Sequence, residues 1–355
     1  MALRGIAQRL PGLWYRRRFA LALLPLLPLS WLFLLLSGVR RGLYRLGVLK
    51  SFRLPVPVVV VGNLTVGGSG KTPLVLWLVA RLREQGWRPG IISRGYGGSA
   101  DGVQCATADS RSAEVGDEPL LLARRSGVPV FVGHDRVAAG QALLAAHPEC
   151  NLIVSDDGLQ HYRLQRSAEI AVFDARAAGN GQLLPAGPLR ESLKRLHSVM
   201  AVVFNSTPSE QVRNFCCPAP VFSMRLAGEC FQRLGDPKQT STADELRGKR
   251  LFAVAGIGDP ARFFAQLTSL GLEFEARPFP DHHAYAAADL AFAHDGVVLM
   301  TEKDAVKCAG LVLSEAWVLP VRAQIEASSD GQSLFDLILE KAVEPRRARS
   351  SRREY

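Results

Sequence analysis

The sequence predicts an α/β fold in which a parallel sheet is flanked by helices and is followed by a smaller α/β domain. From residue 56 onward, short apolar runs alternate with helical patterns, and the runs are apolar throughout. Strands of that kind are buried on both faces, as they are in a parallel sheet covered by helices. The length of 355 residues leaves room for two domains.

The chain is expected to divide into four parts. A basic and apolar segment covers residues 1–50, the larger α/β core covers 51–205, and a smaller α/β domain that closes over the core covers 206–342. We place the boundary at 205 because the composition changes there to a stretch that contains proline and cysteine. Residues 343–355 are rich in arginine and poor in apolar residues, which predicts a disordered basic tail.

The N-terminal part contains a nearly continuous apolar run at residues 19–36. The run is close to the roughly 20 residues that span a bilayer, but Pro25 and Pro28 disturb a straight helix. Basic clusters flank the run on both sides, and together these features favour a membrane-associated helix that dips into the bilayer from the cytoplasmic face. A single spanning helix and a buried core helix stay open as alternatives. A signal peptide is disfavoured, since no small-residue cleavage site precedes a secreted-type chain.

The charge is strongly positive, with a net charge of +10 and an isoelectric point of about 9.6. Such a balance suits an anionic membrane surface, a phosphorylated substrate or nucleic acid. Because the arginines crowd at the two ends of the chain, we expect an anionic membrane surface as a partner and no nucleic acid. The six cysteines have no C-x-x-C spacing, which argues against a zinc site. No feature indicates a particular protein partner.

The predicted elements follow the chain in order. In the core, strands are expected at residues 56–61, 90–93, 128–132, 152–155, 170–173 and 199–204, with helices such as 73–85 and 136–146 between them. In the smaller domain, strands are expected at 251–255, 296–300 and 316–321, with a helix at 260–270.

A glycine-rich run, Thr65-Val-Gly-Gly-Ser-Gly-Lys-Thr72, joins the first strand to the first helix of the core. This strand–loop–helix context predicts a P-loop NTPase-like fold that binds a nucleoside triphosphate such as ATP. Backbone N–H groups of the loop would surround phosphate oxygens, Lys71 would reach the β and γ oxygens, and Thr72 would ligate Mg²⁺. Thr65 stands where the usual pattern has glycine, so the match is imperfect. The nucleotide-binding residues are therefore predicted as Thr65, Val66, Gly67, Gly68, Ser69, Gly70, Lys71 and Thr72.

Two acidic pairs are candidates for metal binding and proton transfer. Asp156 and Asp157 end an apolar strand, where nucleotide-binding folds place carboxylates near Mg²⁺. Asp117 and Glu118 begin a helix, so Asp117 is a candidate base and Glu118 a further Mg²⁺ ligand. Turn formation and helix capping explain the same acids without any function.

Three more positions are candidates for contact with the substrate. Arg94 and Tyr96 lie in a flexible turn after a strand, which suits contact with a phosphate or a head group. Arg190 is expected at the opening of a helix, where its guanidinium would stabilise the transferred phosphoryl group. A plain loop and a surface arginine are equally compatible with these positions alone.

The smaller domain contributes the pair Asp281 and His282, which we expect in a proton-handling network that forms when the domains close. Adjacent histidines and the lack of a third ligand argue against a metal site there. Residues 301–304 have the spacing of a helix cap, and the Gly256-Ile-Gly258 turn needs no functional explanation.

Taken together, these motifs resemble the tetraacyldisaccharide 4′-kinase family of lipid A biosynthesis. The resemblance covers the chain from its apolar N-terminus to about residue 340. Thr65 in place of the first glycine of the usual phosphate-loop pattern is also typical of this family. The motifs that carry the resemblance are Gly62-Asn-Leu-Thr-Val-Gly-Gly-Ser-Gly-Lys-Thr-Pro73, Ser93-Arg-Gly-Tyr-Gly97, Gly116-Asp-Glu-Pro119, Ser155-Asp-Asp-Gly-Leu-Gln-His161, and residues 184–191, 279–283 and 301–307.

The resemblance implies an ATP- and Mg²⁺-dependent kinase. Its acceptor would be the 4′-hydroxyl of the lipid A disaccharide precursor, tetraacyldisaccharide 1-phosphate, at the cytoplasmic face of the inner membrane. By the same resemblance, Asp117 with His282 would accept the hydroxyl proton and Arg190 would stabilise phosphoryl charge. Asp156 and Asp157 would complete the metal environment.

Two other classes of function stay open. A membrane-associated regulatory NTPase would use the same loop to hydrolyse a nucleotide, although the chain lacks the Asn-Lys-x-Asp motif of guanine-specific switches. A basic binding module would explain the charge but not the phosphate loop or the ordered acids.

Overall fold

The computed structural model describes residues 10–343, except Arg17 and residues 100–101, 207–218, 309 and 312. The predicted tail lies outside these residues apart from residue 343. The strands are β1 (Val58–Gly62), β2 (Pro89–Ser93), β3 (Gln104–Ala106), β4 (Val130–Val132), β5 (Leu152–Asp156), β6 (Ala168–Asp174), β7 (Ala201–Asn205), β8 (Val221–Ala227), β9 (Cys230–Arg233), β10 (Asp236–Thr242), β11 (Leu251–Ala255), β12 (Glu275–Pro278), β13 (Val297–Thr301), β14 (Ala316–Leu319) and β15 (Arg322–Ile325).

The helices alternate with these strands through most of the described chain. They are α1 (Leu27–Arg45), α2 (Lys71–Glu84), α3 (Ser112–Val115), α4 (Asp117–Ser126), α5 (Arg136–Ala146), α6 (Ala243–Leu246), α7 (Pro260–Ser269), α8 (Glu302–Lys307) and α9 (Leu334–Ile338). Three 3₁₀ helices, at Leu21–Leu26, Leu193–Ser198 and Ala287–Ala293, and a π-helical turn at Leu339–Val343 are also present.

The larger sheet has nine strands in the order β15-β8-β7-β6-β1-β5-β2-β4-β3. Its inner pairs are parallel, and only the outermost pairs, β15 with β8 and β3 with β4, are antiparallel. Val59 and Val61 of β1 point to one face and pack with α2, α4 and α9. Val58 and Val60 point to the other face and pack with α5. The prediction of a parallel sheet with helices on both faces is confirmed.

The smaller sheet has six strands in the order β10-β9-β14-β13-β11-β12. The four neighbouring strands β14, β13, β11 and β12 are parallel, so their carboxyl ends lie at one edge of the sheet. We call residues 230–319 the small unit and the rest of the described chain from residue 51 the large unit. The carboxyl edges of the two sheets face each other, and loops from both edges meet between the units.

The chain crosses between the two units twice, after β8 and before β15. Gly228 in the first crossing lies so close to the second that a Cβ there would be 2.4 Å from the carbonyl oxygen of Pro320. The strands β8 and β15 and the helix α9 belong to the larger sheet and its core. The large unit therefore includes segments of the region that the sequence assigned to the smaller domain.

The N-terminal helix α1 lies along the surface of the large unit. Among the described residues, Leu21–Arg45 is the one helical stretch long and apolar enough to cross a membrane by length and composition, and 11% of its most apolar window is buried. A buried core helix does not fit this exposure. One stripe of α1 contacts the large unit: Ser30 donates to the Leu183 carbonyl at 2.9 Å, and Arg41 donates to the Ser198 hydroxyl at 3.0 Å.

Candidate active site

The loop between β1 and α2 has the conformation of a phosphate-binding turn. Gly67 and Gly70 have φ angles of 101° and 90°, in the region that favours glycine. At Gly70 a Cβ would lie 2.1 Å from the Asn205 amide nitrogen, so no other residue fits there. Lys71 is the first residue of α2, and its side chain is only 7% exposed. The loop therefore brings backbone N–H groups, a helix N-terminus and an ammonium group to one place.

Thr65 does not need to be glycine because the entry of the loop is extended and paired with a second segment. Thr65 forms a bridge with Leu189, and the Arg190 N–H donates to the Leu64 carbonyl at 2.6 Å. This pairing carries Arg190 to the loop. Arg190 is therefore not at the opening of a helix as predicted, since the next helix, Leu193–Ser198, begins three residues later.

Asp157 lies between two cations at the carboxyl end of β5. One guanidinium nitrogen of Arg190 is 3.1 Å from both carboxylate oxygens of Asp157, and the Lys71 ammonium is 3.7 Å from one of them. Burial acts to raise the pKa of Asp157, but Lys71 and Arg190 outweigh it and hold the pKa at about 2. Asp157 is therefore an anion that positions both cations at the phosphate loop.

Asp156 is fully buried beside it and is incompletely hydrogen-bonded. The Ser93 hydroxyl donates to one carboxylate oxygen at 3.2 Å, whereas the other oxygen has no hydrogen-bond partner within the structure as described. Burial and then the charge of Glu118 raise the pKa of Asp156, Lys71 opposes them, and the resulting pKa is about 7. An orphaned buried carboxylate oxygen fits a site that receives a cation.

No group of three or more His, Cys, Asp or Glu side chains is arranged to hold a metal ion among the described residues. Magnesium in kinases is bound through one or two carboxylates together with substrate phosphates and water. Asp156, Glu118 and Thr72 near the phosphate loop fit that kind of site, in which the nucleotide supplies the remaining oxygens.

A carboxylate and an imidazole meet where the two units face each other. His282 Nδ1 is 3.1 Å from Asp117 Oδ2, although the residues are 165 positions apart in the chain. His282 has a φ of 59°, and its backbone N–H donates to the Asp281 carboxylate at 3.0 Å. The ring also packs against Tyr96 with a centroid distance of 5.4 Å. The predicted partners Asp117, Asp281 and His282 are thus brought together.

Lys303 of α8 connects this pair to the acid next to Asp117. Its ammonium is 3.3 Å from Glu118, Asp281 and His282 Nε2. Burial acts to raise the pKa of Glu118, but Lys303 and then Lys71 outweigh it, and the pKa is lowered. An ammonium can only donate, so the contact of Lys303 with His282 Nε2 favours the tautomer whose ring proton is on Nδ1, directed at Asp117. The second oxygen of Asp117 is then available to accept a proton.

A cleft of about 720 Å³ collects most of these groups. Its walls include Lys71, Asp157, Arg190 and His282, and also Arg94 and Tyr96 from the turn after β2. The cleft continues to Phe33, Leu36, Ser37 and Arg40 of α1. The ammonium of Lys71, the ring of His282 and the apolar side chains of α1 therefore share one opening.

A second cavity of about 190 Å³ lies beside the phosphate loop between the units, and it shares Gly68 and Lys71 with the cleft. Gly258 of the small unit forms part of its wall, and a Cβ there would lie 3.0 Å from the Gly68 nitrogen. Arg176, held by Asp174, donates to the Gly258 carbonyl at 3.3 Å. The small unit thus touches the phosphate loop directly.

Comparison with known proteins decides which family has this arrangement. A family profile described as LpxK, tetraacyldisaccharide-1-P 4′-kinase, matches residues 22–341. The chain belongs to this 4′-kinase family. It is therefore a kinase, a phosphotransferase with an alcohol acceptor.

Curated relatives agree with the profile over nearly the whole chain. The tetraacyldisaccharide 4′-kinase of Dechloromonas aromatica is 56% identical over 95% of this chain and 98% of its own. That of an Azoarcus strain is 54% identical over 96% and 97%. A crystal structure of an "apo" form of LpxK from Aquifex aeolicus in complex with ATP has a TM-score of 0.76 and 32% identity, and it covers 91% of this chain and all of that one. The predicted fold and family are confirmed.

Several residues of this 4′-kinase site were not predicted from sequence. Lys303 and Gly258 lie in segments interpreted as a helix cap and a simple turn, and Asp174 and Asn205 end strands without being singled out. One signal was available. Lys303 is a cation in the first turn of a helix, where the macrodipole favours anions, and such a placement indicates a specific partner.

Proposed function

We propose that the chain transfers the γ-phosphate of ATP to the 4′-hydroxyl of tetraacyldisaccharide 1-phosphate, which gives lipid IVA. The observation that carries the proposal is the shared cleft: Lys71 of the phosphate loop and His282 of the proton-accepting pair line the same opening, which leads to the apolar helix α1. A lipid with a sugar head group needs a polar surface for the sugar and an apolar surface for the acyl chains.

The phosphate loop and its cations bind and orient the triphosphate. Loop residues 65–72 surround the β and γ phosphates, and Lys71 contacts them from the start of α2. Arg190, fixed by Asp157, stabilises the charge on the phosphoryl group during transfer. Because Asp157 holds both cations before the nucleotide arrives, little reorganisation is needed during the reaction.

Thr72, Glu118, Asp156 and Asp157 are the residues proposed to hold and surround Mg²⁺. Bound there, the ion would supply positive charge that offsets the charge of the phosphates. The orphaned oxygen of Asp156 is the observation that supports a cation there. Lys303 keeps Glu118 ionised and correctly placed.

The Asp117–His282 pair accepts the proton of the attacking hydroxyl. The hydroxyl oxygen forms a bond to the γ-phosphorus, the bond from that phosphorus to the leaving ADP oxygen breaks, and the proton passes to Asp117. His282 holds the carboxylate through Nδ1 and is itself held by Lys303. Since Asp117 belongs to the large unit and His282 to the small unit, we propose that closure of the units completes the site.

Arg94 and Tyr96 are proposed to bind the disaccharide acceptor. Both line the cleft between the phosphate loop and α1. Arg94 is a cation that suits the phosphorylated sugar, and Tyr96 offers a ring beside His282 against which a sugar face can pack. The acyl chains would then leave along the apolar surface of α1.

The reaction is tested with purified protein, γ-labelled ATP, Mg²⁺ and tetraacyldisaccharide 1-phosphate. We expect label on the 4′ position of the lipid, and removal of Mg²⁺ with a chelator should abolish the transfer. Release of inorganic phosphate without labelled lipid would instead support a regulatory NTPase. No turnover of either kind would support a binding module.

We further propose that α1 lies in the plane of the inner membrane, at its cytoplasmic face, and does not span the bilayer. Its contacts with the large unit run from Ser30 to Tyr44, whose ring lies 6.0 Å from that of Tyr162. That distance along the helix is about 21 Å at 1.5 Å per residue. A spanning helix would be surrounded by lipid and could not keep such contacts. The opposite side of α1 exposes Trp31, Leu32 and Leu35. These apolar side chains suit the boundary between the lipid head groups and the hydrocarbon core.

Replacing Trp31 and Leu35 together with glutamate is expected to release the protein from anionic vesicles. Both side chains are more than 60% exposed, so the fold should survive while the apolar membrane contact is lost. Vesicle flotation measures the effect, and we expect roughly a tenfold loss of the bound fraction or more.

Lys238→Glu is a matched control, since it changes the net charge by the same amount at an exposed position of β10. Flotation of the double variant like the unchanged protein would contradict the proposed contact. A Leu21→Cys variant distinguishes a helix in the membrane plane from a helix that spans the bilayer. Labelling of this cysteine by an impermeant maleimide in right-side-out vesicles would show that the helix spans the bilayer.

A further inference from the structure

The loop that carries His282 is packed into the small unit by its own aromatic rings. This loop, residues 279–286, connects β12 to the 3₁₀ helix Ala287–Ala293, and we call it the His282 loop. Phe279 and His283 stack with their centroids 4.8 Å apart, and the ring of Tyr285 packs against both, at 5.1 Å and 5.0 Å. Because a loop lacks the regular hydrogen bonds of a strand, such side-chain contacts fix its course.

The Tyr285 hydroxyl connects the His282 loop to α8. It donates to Asp304 Oδ1 at 3.0 Å, and both side chains are buried. Burial and then the charge of Asp304 raise the pKa of Tyr285 above its usual value, so the hydroxyl keeps its proton. At neutral pH the hydroxyl is therefore a donor to this carboxylate.

Asp304 is a fixed point at the carboxyl edge of the smaller sheet. Its carboxylate also accepts from the Gly256 N–H at 3.0 Å and from the Thr301 hydroxyl at 2.6 Å, and the Lys307 ammonium is 2.8 Å away. A Cβ at Gly256 would lie 2.8 Å from the Tyr285 hydroxyl oxygen, so this close approach needs glycine. Gly256 follows β11 and Thr301 ends β13. One buried carboxylate therefore ties the ends of these two strands to the His282 loop, which follows β12.

The hydrogen bond between Tyr285 and Asp304 supports both residues that reach the large unit from this side. Lys303 directly precedes Asp304 on α8, and His282 lies three residues before Tyr285 in the His282 loop. The Lys303 ammonium is 3.3 Å from His282 Nε2. By joining the loop to the helix, the hydrogen bond fixes where the imidazole lies relative to the ammonium.

His282 needs such support because its backbone is in the left-handed region, with a φ of 59°. A residue other than glycine rarely adopts this conformation and keeps it only where surrounding contacts hold it. Turned that way, the ring of His282 reaches Asp117 Oδ2 at 3.1 Å. A loop with fewer anchors can relax to a backbone conformation from which the ring no longer reaches Asp117.

We propose that Tyr285 is a positioning residue for phosphoryl transfer: its hydroxyl, by binding Asp304, fixes the His282 loop on α8 and holds His282 at Asp117. This inference rests on the proposed role of the Asp117–His282 pair. Tyr285 acts through His282 and not by contact with the reactants. Loss of its hydroxyl therefore slows the chemical step and leaves the binding of nucleotide unchanged.

The test is Tyr285→Phe, which removes the hydroxyl and keeps the ring in its cluster. Asp304 keeps its contacts with Gly256, Thr301 and Lys307, so the protein should fold. We expect kcat for the transfer of labelled phosphate to the lipid to fall roughly 10- to 100-fold, since misplacing a group by about 1 Å in an active site has an effect of that size. The KM for ATP and the dissociation constant of ADP should stay within about twofold of their values in the unchanged protein.

Ser241→Ala is the control, because it removes another buried hydroxyl that donates to a carboxylate within the small unit. Ser241 ends near α6 and donates to Glu245 at 2.8 Å. Both variants lose one hydrogen bond to a charged group, so both should lose a similar amount of heat stability. Only Tyr285→Phe should lose activity, whereas a purely structural role would affect the two variants alike.

A double-mutant cycle with His282→Ala decides whether Tyr285 acts through His282. In that background the ring to be positioned is gone, so Tyr285→Phe should lower kcat further by less than about twofold. The inference is overturned if the full loss recurs in that background, or if Tyr285→Phe alone keeps kcat within about twofold of the unchanged protein.

The same cycle distinguishes failure of this inference from failure of the proposed function. If His282→Ala alone kept a near-normal kcat, the proton-accepting role of the Asp117–His282 pair would be refuted, and the role of Tyr285 with it. If His282→Ala were impaired but Tyr285→Phe were not, the role of Tyr285 alone would be refuted.

Discussion

Replacing Lys71 with alanine is expected to lower kcat/KM for lipid phosphorylation by about 10³-fold. Lys71 is the buried cation at the start of α2, and in the proposed reaction its ammonium contacts the β and γ oxygens. Water cannot replace it effectively in a site where the charge is shielded from solvent. The measurement is the steady-state transfer of labelled phosphate to the lipid, together with the affinity for ADP.

Arg81→Ala is the matched control because Arg81 lies on the same helix, is 56% exposed and pairs with Glu84 at the surface. A surface pair of that kind contributes about 0–1 kcal/mol, so activity should be nearly unchanged. Circular dichroism should show that both variants are folded. If the Lys71 variant kept near-normal turnover, the ammonium would have no part in phosphoryl transfer.

The large unit was predictable from sequence because its strands and its phosphate loop are local features. The five residues of β1 are all buried, and the run of valines at 58–61 predicts that burial directly. Glycine at positions 67 and 70 likewise indicates a left-handed backbone conformation, and at position 70 also a close approach, without any tertiary information. Thr65 was the one irregular position, and its pairing with Leu189 explains it.

The edge of the larger sheet was not predicted. Strand β8 buries Phe222 and Met224 at alternate positions, but polar Ser223 and charged Arg225 follow them and the preceding segment is rich in proline. Strand β15 is only four residues long. Short edge strands carry too little apolar periodicity to be separated from loops, so the region was assigned to the smaller domain.

The junction between the units was largely unpredictable because it depends on how two sheets face each other. The contacts of Lys303 with Glu118 and of Arg176 with Gly258 join residues far apart in the chain. No spacing in the sequence reports such distances. The partnership of Asp117 with His282 came from the family resemblance, and the structure supplies the reason for it, namely a left-handed backbone at His282 that turns the ring toward α4.

Asp117→Asn is expected to lower kcat by roughly 10²- to 10⁴-fold while the affinity for nucleotide stays unchanged. The substitution preserves the size of the side chain at the start of α4 but removes the group that accepts the hydroxyl proton. His282 would lose its carboxylate partner without any change at the phosphate loop. The measurements are kcat in the presence of saturating lipid and, independently, the dissociation constant of ADP.

Asp244→Asn provides the control, since Asp244 is also an acid in the first turn of a helix but is exposed and pairs only with Arg247. A double-mutant cycle with His282→Ala then tests whether the two residues act as one unit. Because His282 works through the carboxylate, its replacement in the Asp117→Asn background should cost little beyond the single change. Fully additive losses would mean that the two side chains act independently, and the 3.1 Å contact between them would then have no part in proton transfer.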